Sequence, residues 1–385
     1  MSSPSAARGP EPERPAVVVL SQTEWGLAWV FAHDVALHFA RQGHPVVFLD
    51  PFPKRFPRPR EWRRIVGRLF ARSAVAGFAA QPRPAGIRFV TPLTLPDRCR
   101  LFTWINRRLL LPGLRRRVLA ACAERRQRIV FACQPFATPL ALAAMLSPSR
   151  LVYARRDGYE DDPRLAGLRM AVGELEAHAD LIVASGRVLA GKSPYGAKVI
   201  DIPGLVDFAA FFRPVAPRPA WRRPPVCCYF GHVNERVDMA ILQRVARQYP
   251  LRVIGRVSIR WPAGIQAEQV GVVANEQVAG LLAGCDVVVI PYRLGGFFAN
   301  IFPYKIFQAF AQGLPVVATP MPALAHLHGL VYLAADPEEF VAQIACAAGE
   351  GAAVKLRRQE LARRYDREPQ LEALRRRLLD AGEGE

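Results

Sequence analysis

The chain alternates between short apolar runs and longer stretches whose apolar residues recur with helical periodicity. In the first half the runs are AVVVL, PVVFLD, IRFVTP, RIVFAC, LVYARR, DLIVAS and AKVIDIP, at residues 16–20, 45–50, 87–92, 128–133, 151–156, 180–185 and 197–203. Short β-branched runs separated by helical segments are typical of a parallel sheet covered by helices. We therefore predict a doubly wound α/β sheet here, with its first helix over residues 26–42.

A second series of the same kind fills the second half of the chain. Its runs are PVCCYFG, LRVIG, VGVV, CDVVVIPY, PVVAT and VYLA, at residues 225–231, 251–255, 270–273, 285–292, 315–319 and 331–334. A stretch rich in Pro and Arg separates the two series, which predicts two Rossmann-like domains joined by a linker. The predicted divisions are a disordered tail (1–14), an N-terminal domain (15–206), the linker (207–225), a C-terminal domain (226–360) and a charged C-terminal helix (361–385) that could pack back on the first domain.

Composition and missing motifs exclude several classes of function. No apolar run reaches the roughly 18 residues of a membrane-spanning helix, and seven cysteines without ligand or framework spacing are typical of a reducing cytoplasm. The first strand ends in SQTEWGLAW (21–29), so no dinucleotide fingerprint follows it, and a phosphate-binding P-loop is absent as well. Ligands of parallel sheets bind outside the carboxyl ends of the strands, which places the expected site in the cleft between the two domains.

Positive charge is concentrated in one region. Residues 51–130 carry 20 Lys or Arg against three acids, a net charge of +17 out of the chain's formal +19. Within this basic region, 53–70 and 101–128 interleave Arg with Trp, Phe and Leu, a pattern that favours binding to an anionic membrane surface. A phosphorylated substrate would also suit the charge. Nucleic acid is a further alternative, but no motif for reading it accompanies the charge, and we expect no nucleic-acid partner.

The segment NIFPYKIFQAFAQGLPVVATP (300–320) predicts a short apolar helix followed by a buried strand. Pro303 fits the first helical turn, and Gly313 fits the position just beyond the helix end. Lys305, Gln308 and Gln312 form a polar stripe on this helix. A helix N-terminus next to a strand end binds phosphate, so Lys305 is predicted to bind a diphosphate, with Tyr304 and Gln308 near a ribose or base. The alternative is an ordinary helix with a lysine that reaches solvent along its stem.

Other candidate residues lie at the ends of predicted strands. Gly231 and His232 follow the first strand of the second domain, where a glycine lets a ligand approach the backbone, and Tyr292 ends the strand before the helix. Asp157 follows LVYARR and is a candidate general base. The alternatives are that Asp157 is a turn residue, and that Asp161 and Asp162 cap the next helix.

These features together resemble the GT-B glycosyltransferases, which have two facing Rossmann-like domains. The resemblance is strongest over 285–320, where CDVVVIPY, Asn300 and P-x-K-x-F-Q-x-x-A-x-G-L-P-V-V-A-T-P follow the donor-binding segment of that family. Retaining members carry two glutamates eight positions apart in this segment, whereas this chain has Asn300 and Gln308. The Lys305-x-x-Gln308 arrangement instead looks like the inverting glucuronosyltransferase of xanthan biosynthesis.

The resemblance implies a specific reaction. UDP contacts would fall on Tyr292, Tyr304, Lys305 and Gln308, and the catalytic base on Asp157. The enzyme would move glucuronate from UDP-glucuronate to a polyprenyl-diphosphate-linked oligosaccharide in exopolysaccharide biosynthesis, at the inner face of the plasma membrane, with inversion. Apart from the resemblance, no metal cofactor is expected if Lys305 and the helix N-terminus neutralise the departing UDP. Two alternatives stay open: a UDP-sugar 2-epimerase, which shares the architecture, and a non-catalytic peripheral membrane scaffold.

Overall fold

Two parallel sheets, one in each half of the chain, form the framework of the protein. The computed structural model describes residues 13–26, 29–53, 56, 83–123, 125–161, 168–215, 223–295 and 300–380. Most of the 53–70 segment of the basic region, the first 12 residues and Asp162 lie outside these ranges. Both sheets are parallel throughout, which confirms the predicted α/β class.

The first sheet has seven strands in the order β3-β2-β1-β4-β5-β6-β7. They are β1 (Ala16–Leu20), β2 (Val46–Leu49), β3 (Ile87–Val90), β4 (Arg128–Ala132), β5 (Arg150–Arg155), β6 (Leu181–Ala184) and β7 (Val199–Asp201). Every residue of β1, β2 and β6 is buried. Continuous apolar runs are what a sheet covered on both faces requires.

The second sheet has six strands in the order β10-β9-β8-β11-β12-β13. They are β8 (Cys227–Phe230), β9 (Leu251–Ile254), β10 (Glu268–Gly271), β11 (Val287–Ile290), β12 (Val316–Ala318) and β13 (Val331–Leu333). Strand β10 lies two residues before its predicted position. It is an edge strand of mixed exposure with an irregular register against β9, so its apolar pattern is weak.

Helices pack on both faces of the sheets. They are α1 (Phe31–Arg41), α2 (Arg100–Ile105), α3 (Leu111–Ala121), α4 (Ala137–Met145), α5 (Leu168–His178), α6 (Arg187–Gly191), α7 (Phe208–Phe211), α8 (Met239–Gln248), α9 (Asn275–Leu282), α10 (Lys305–Ala311), α11 (Pro337–Ala348), α12 (Ala352–Arg364) and α13 (Arg367–Asp380). A π-helical turn, Asn106–Leu110, joins α2 to α3. No helix in the described ranges is both long and apolar enough to span a bilayer.

The first helix begins at Phe31, so the prediction of a start at residue 26 is wrong. Val30 is still extended, and the Trp25 ring packs against Phe48 and Phe89 at centroid distances of 5.1 and 5.2 Å. The helical spacing of apolar residues near Trp25 thus reflects a loop that is anchored by aromatic contacts. This loop leads from the end of β1 into the space between the domains.

Two segments connect the domains. Part of the predicted linker forms the short helix α7, whose Phe208 and Phe211 are buried in the core of the second domain. Helix α13 returns to the first domain, where Leu371, Leu374 and Leu378 join the apolar core on the α1 face of the sheet. The second domain is therefore tied to the first at both ends.

Candidate active site

A cleft of about 520 Å³ separates the carboxyl ends of the two sheets. Its volume lies within the usual range for small-molecule sites. The seven residues singled out from the sequence all line it; they are Asp157, Gly231, His232, Tyr292, Tyr304, Lys305 and Gln308. The sheet topology brings them together because each follows a strand or begins the helix after one.

Lys305 lies at the first position of α10, and its side chain crosses to the end of β8. Its Nζ donates a hydrogen bond to the carbonyl oxygen of Phe230. The same nitrogen lies 4.6 Å from the ring centroid of Tyr229 and 5.4 Å from that of Tyr292. Cation–π contacts of this kind hold an ammonium in a partly desolvated place. Among the described residues, no carboxylate forms an ion pair with this ammonium.

Gly231 makes room for the Lys305 ammonium. Its φ is +122°, and a Cβ built on it would lie 2.5 Å from Lys305 Nζ. Gly255, at the end of β9, is as crowded, since its Cβ would lie 2.3 Å from the Gly231 carbonyl oxygen. The ends of β8 and β9 therefore present bare backbone beside the lysine, which lets a ligand approach closely.

Tyr292 and Arg236 complete the surroundings of the lysine. The Arg236 guanidinium lies 5.5 Å from the Tyr292 ring centroid. Burial opposes ionisation of Tyr292, but the Lys305 ammonium and the Arg236 guanidinium outweigh it and lower the pKa of this phenol. Two cations therefore lie beside the Tyr292 phenol in this part of the cleft.

His232 lies at the mouth of the cleft. Its Nε2 is 2.5 Å from Ser258 Oγ, and its Nδ1 is 3.4 Å from Asn234 Nδ2. Burial and then the nearby Arg256 guanidinium lower the pKa of His232, so the imidazole is neutral at pH 7. In that state it supplies hydrogen bonds and no charge.

The N-terminus of α10 differs from the prediction. The helix begins at Lys305 and not at Pro303, because Tyr304 is the capping residue. The amides of Ile306 and Phe307 already donate to the carbonyls of Pro303 and Tyr304, at 2.9 and 3.0 Å. These amides are not available to a phosphate. Positive charge at this end of α10 therefore comes chiefly from the Lys305 side chain.

The C-terminus of α10 confirms the predicted glycine stop. Gly313 has φ +70°, its amide donates to Phe310 O at 2.8 Å, and the Leu314 amide donates to Ala309 O at 3.0 Å. This pair of bonds is a Schellman motif. Gln312, the last member of the polar stripe, is buried and donates to Ala279 O at 2.6 Å, a structural contact.

Tyr304 joins the two domains. Its hydroxyl donates to the Trp29 carbonyl in the loop before α1 at 2.7 Å. Burial raises the pKa of Tyr304 to about 12, so the phenol keeps its proton and donates at neutral pH. Its hydroxyl is therefore engaged across the cleft. Gln308, one turn further along α10, also lines the cleft.

Asp157 lies directly after β5 on the first-domain side of the cleft. It is half-buried, and the Tyr159 hydroxyl is hydrogen-bonded to it. The helix-capping alternative for Asp161 and Asp162 concerns a helix start within residues 162–167, which lie outside the described ranges. Asp161 belongs to a single 3₁₀ turn, pairs with Lys192 and accepts a hydrogen bond from Asn300 Nδ2 at 2.8 Å. Asn300, at a position where retaining enzymes carry a glutamate, thus contacts the opposite domain.

Several cleft residues were not predicted from the sequence. Among the described residues, five cations and three carboxylates line the cleft, of which only Lys305 and Asp157 were predicted as site residues; they are Arg156, Arg236, Arg256, Lys305 and Arg367, with Asp34, Asp157 and Asp207. Arg156, at the end of LVYARR, had a signal in its strand-end position. Asp34 and Arg367 lie inside helical segments, where the local sequence pattern does not distinguish them from ordinary surface charges.

Part of the predicted membrane surface is described around α2. Leu101, Trp104 and Leu109 are 60%, 54% and 64% exposed. Arg107 and Arg108 beside them are exposed as well. Large apolar side chains next to arginines on an exposed helix differ from an ordinary solvated surface.

No metal-ligand cluster occurs in the described part of the chain, where three or more His, Cys, Asp or Glu side chains nowhere meet as ligands. The expectation of metal-independent chemistry stays a prediction.

Comparison with known proteins finds one family match, which lies in the second domain. Residues 225–349 match the family model for glycosyl transferases group 1. A search of curated proteins by sequence gives no match.

Solved structures share the whole fold. Anabaena HepE (Alr3699), crystallised with UDP and glucose, superposes with a TM-score of 0.64 at 14% identity, over 95% of this chain and 100% of that one. A UDP-forming α,α-trehalose-phosphate synthase from Burkholderia vietnamiensis gives 0.61 at 10% identity, over 96% and 98%. The lipopolysaccharide outer core galactosyltransferase WaaB gives 0.58 at 9% identity, over 96% and 100%. The chain thus has the GT-B fold.

Proposed function

We propose that this glycosyltransferase, with its group 1 domain at residues 225–349, transfers glucuronate from UDP-glucuronate to a polyprenyl-diphosphate-linked oligosaccharide. Transfer proceeds with inversion, and the product serves exopolysaccharide biosynthesis at the inner face of the membrane. The observation that carries the proposal is Lys305, a partly buried cation held by a carbonyl and aromatic rings in a cleft with an excess of positive charge.

The diphosphate of the donor lies against Lys305. A neutral carbonyl cannot cancel the ammonium charge, so an anion that displaces water from this place gains a charge-assisted contact. Arg236 adds a second cation, and the backbone at Gly231 and Gly255 leaves space for the phosphates. The UDP complex of Anabaena HepE, a protein of the same fold, supports a UDP-sugar as the donor class.

The uridine lies deeper in the second domain. Beyond Gly255 the wall of the cleft is formed by Ile254, Val272 and Val273. This apolar surface suits the face of a base, while Gln308 offers an amide to the ribose or base. Because the Tyr304 hydroxyl is bound to Trp29, Tyr304 contributes its ring, and the site then depends on both domains being together.

Glucuronate as the transferred sugar is supported by Arg156, which lines the cleft on the first-domain side. Arg156 lies beside Asp157, its guanidinium 4.7 Å from the Phe31 ring centroid, and it donates to the carbonyls of Ile202 and Pro203 at 2.7 and 3.3 Å. Burial lowers the pKa of Arg156 only to about 10, so it stays charged. A carboxylate on the sugar would pair with such a cation better than a hydroxymethyl group.

The transfer is a single displacement. Asp157 removes the proton of the acceptor hydroxyl, the oxygen attacks the anomeric carbon, and the bond from that carbon to the UDP oxygen breaks. Lys305 stabilises the negative charge that develops on UDP. Asn300 and Gln308, at the positions of the two glutamates of retaining enzymes, support inversion over retention.

The acceptor arrives from the bilayer. The exposed apolar and basic side chains around α2 lie on the same domain as Asp157, and they suit the surface of an anionic membrane. A polyprenyl anchor would then remain in the lipid while the sugar enters the cleft.

Two variants test the donor site and the base separately. Lys305→Met should weaken UDP binding, measured by calorimetry, by at least tenfold, since a charged hydrogen bond contributes roughly 1.5–3 kcal/mol. Asp157→Asn should keep the UDP affinity and lose transfer, measured as UDP release with a panel of UDP-sugars and the lipid-linked acceptor. Unchanged UDP affinity in Lys305→Met would refute the donor site, and full transfer by Asp157→Asn would refute the base. If only another UDP-sugar supports transfer, the glucuronate assignment fails and the reaction class stands.

A further inference from the structure

Asp34 is a buried carboxylate of the cleft, and the proposed reaction gives it no role. It lies in the first turn of α1, is 7% exposed and lines the cleft. Its Oδ1 accepts a hydrogen bond from the Trp29 indole at 2.8 Å, and Arg367 Nη1 lies 3.8 Å from the same oxygen. Among the described residues, none donates a hydrogen bond to Oδ2.

Neither of the two cations near Asp34 forms a short ion pair with it. Arg367 Nη2 lies 2.7 Å from Asp207 Oδ2, closer than any of its nitrogens lies to Asp34. Arg156 donates to the two carbonyls after β7. Asp34 is therefore desolvated without a close, fully formed ion pair, and such a carboxylate disfavours folding in its charged form.

A purely structural role does not explain why residue 34 is a carboxylate. Its contact to Trp29 requires one oxygen acceptor, which asparagine would supply with nearly the same shape and without the desolvation of a charge. The feature that asparagine lacks is a second strong acceptor, and in this cleft-lining residue Oδ2 is the oxygen without a described donor. Sugar hydroxyls are the donors that such an oxygen accepts, and a charge-assisted bond to them is stronger than a neutral one.

We propose that Asp34 is a second substrate-binding carboxylate, whose Oδ2 accepts a hydrogen bond from a hydroxyl of the sugar held between the domains while Trp29 and Arg367 fix Oδ1. The inference rests on the proposed glycosyl transfer. Because Asp34 belongs to the first domain, as Asp157 does, we assign the hydroxyl to the acceptor sugar. Trp29 also carries the carbonyl that Tyr304 binds, so the same loop orients Asp34 and joins the domains.

The bond is expected to depend on pH. Burial raises the pKa of Asp34 to about 6, against the opposing effects of the Trp29 hydrogen bond and the Arg367 and Arg156 charges, while Asp207 raises it further. Tyr304 faces the same carboxylate from α10 and stays neutral. Below pH 6 the carboxyl gains its proton and the charge-assisted bond is lost. The KM for the acceptor should therefore rise as the pH falls through 6.

The test compares wild type, Asp34→Asn and a matched control, Asp201→Asn. Asp201 lies outside the cleft, and its Oδ1 accepts a hydrogen bond from the Gly186 amide at 2.9 Å, which asparagine can also accept. We measure kcat and both KM values with UDP-glucuronate and a polyprenyl-diphosphate-linked oligosaccharide from pH 5 to 8. Calorimetry gives the UDP affinity, and thermal melting shows that each variant is folded.

Asp34→Asn is expected to raise the acceptor KM about tenfold at pH 7.5, as loss of one charged hydrogen bond implies, with unchanged UDP affinity. The increase of KM below pH 6 should disappear in this variant and persist in Asp201→Asn. A rise confined to the KM for UDP-glucuronate would support the bond and assign it to the donor sugar. Wild-type KM values and a wild-type pH profile in Asp34→Asn would overturn the proposal.

Failure of the proposed function gives a different result. If the wild type transfers no sugar, calorimetric titration with the acceptor and with UDP-glucuronate still tests Asp34. A weaker affinity of Asp34→Asn for either compound would support its sugar contact. Equal affinities, or no binding to wild type or variant, would overturn it.

Discussion

Replacing Asp34 with asparagine should stabilise the protein at neutral pH and have little effect in acid. The Trp29 hydrogen bond is kept because the asparagine oxygen accepts it. What is removed is a buried carboxylate whose pKa rises from 3.8 to about 6 on folding. The folded state therefore binds this proton more tightly than the unfolded state.

The sign and size follow from this shift. Stability from the group is fully present below pH 3.8 and is lost as the pH rises through 6. A shift of about 2 pKa units corresponds to roughly 3 kcal/mol over the whole window, of which about 2 kcal/mol falls between pH 4.5 and 7.5. Asp34→Asn lacks this loss. The difference in free energy of unfolding between Asp34→Asn and wild type should therefore increase by about 2 kcal/mol from pH 4.5 to 7.5.

Urea denaturation followed by circular dichroism at pH 4.5, 5.5, 6.5 and 7.5 measures the difference. The compared quantity is the change of the variant-minus-wild-type difference with pH, since two-domain unfolding makes single free energies less well defined. Asp380→Asn, at the exposed end of α13, is the control. A difference for Asp34→Asn that stays constant with pH would refute the claim that burial holds this carboxyl near pKa 6.

Three further predictions concern other parts of the molecule. Gly231→Ala should weaken UDP binding in calorimetry about as much as Lys305→Met does, because the new Cβ would occupy the place of the ammonium; wild-type affinity would contradict the close contact. Glu350→Gln should destabilise the second domain by about 3 kcal/mol in urea denaturation, since it leaves the fully buried Arg358 without its carboxylate; a loss below 1 kcal/mol would show that the pair is dispensable. Trp104→Ser should reduce sedimentation with anionic vesicles and leave UDP affinity unchanged; equal sedimentation of variant and wild type would show that Trp104 of α2 does not contribute to membrane binding.

The fold could be predicted from the sequence because buried parallel strands produce continuous apolar runs. All thirteen strands fall on or within two residues of runs that the pattern picks out. The predicted helix boundaries are wrong where local contacts, and not the burial of an apolar face, decide the backbone conformation. The loop before α1 has helix-like spacing because Trp25 packs on Phe48 and Phe89, and α10 starts late because Pro303 and Tyr304 form a turn.

The cleft residues that could be predicted are those at strand ends or at the start of the helix after a strand. Lys305 and Gly231 stand at strand ends or at the start of a helix, and a topological rule marks these places. Asp34 and Arg367 are more than 300 residues apart and meet because α13 crosses back to α1. No local sequence pattern predicts this long-range contact, because it depends on the packing of Leu371, Leu374 and Leu378 in the first domain.

Adjacent arginines at the end of β5 show how the fold separates structural charge from charge kept for a ligand. Arg155 is 2% exposed and forms ion pairs with Glu160 and Glu176, so its charge is cancelled within the domain. Arg156, one residue on, donates its described hydrogen bonds to carbonyls only and faces the cleft. Lys305 repeats this pattern on the opposite wall with the Phe230 carbonyl. Carbonyls orient a cation without neutralising it. Both walls therefore hold positive charge in the cleft, as binding of the proposed UDP-linked sugar acid, which is anionic at both ends, would require.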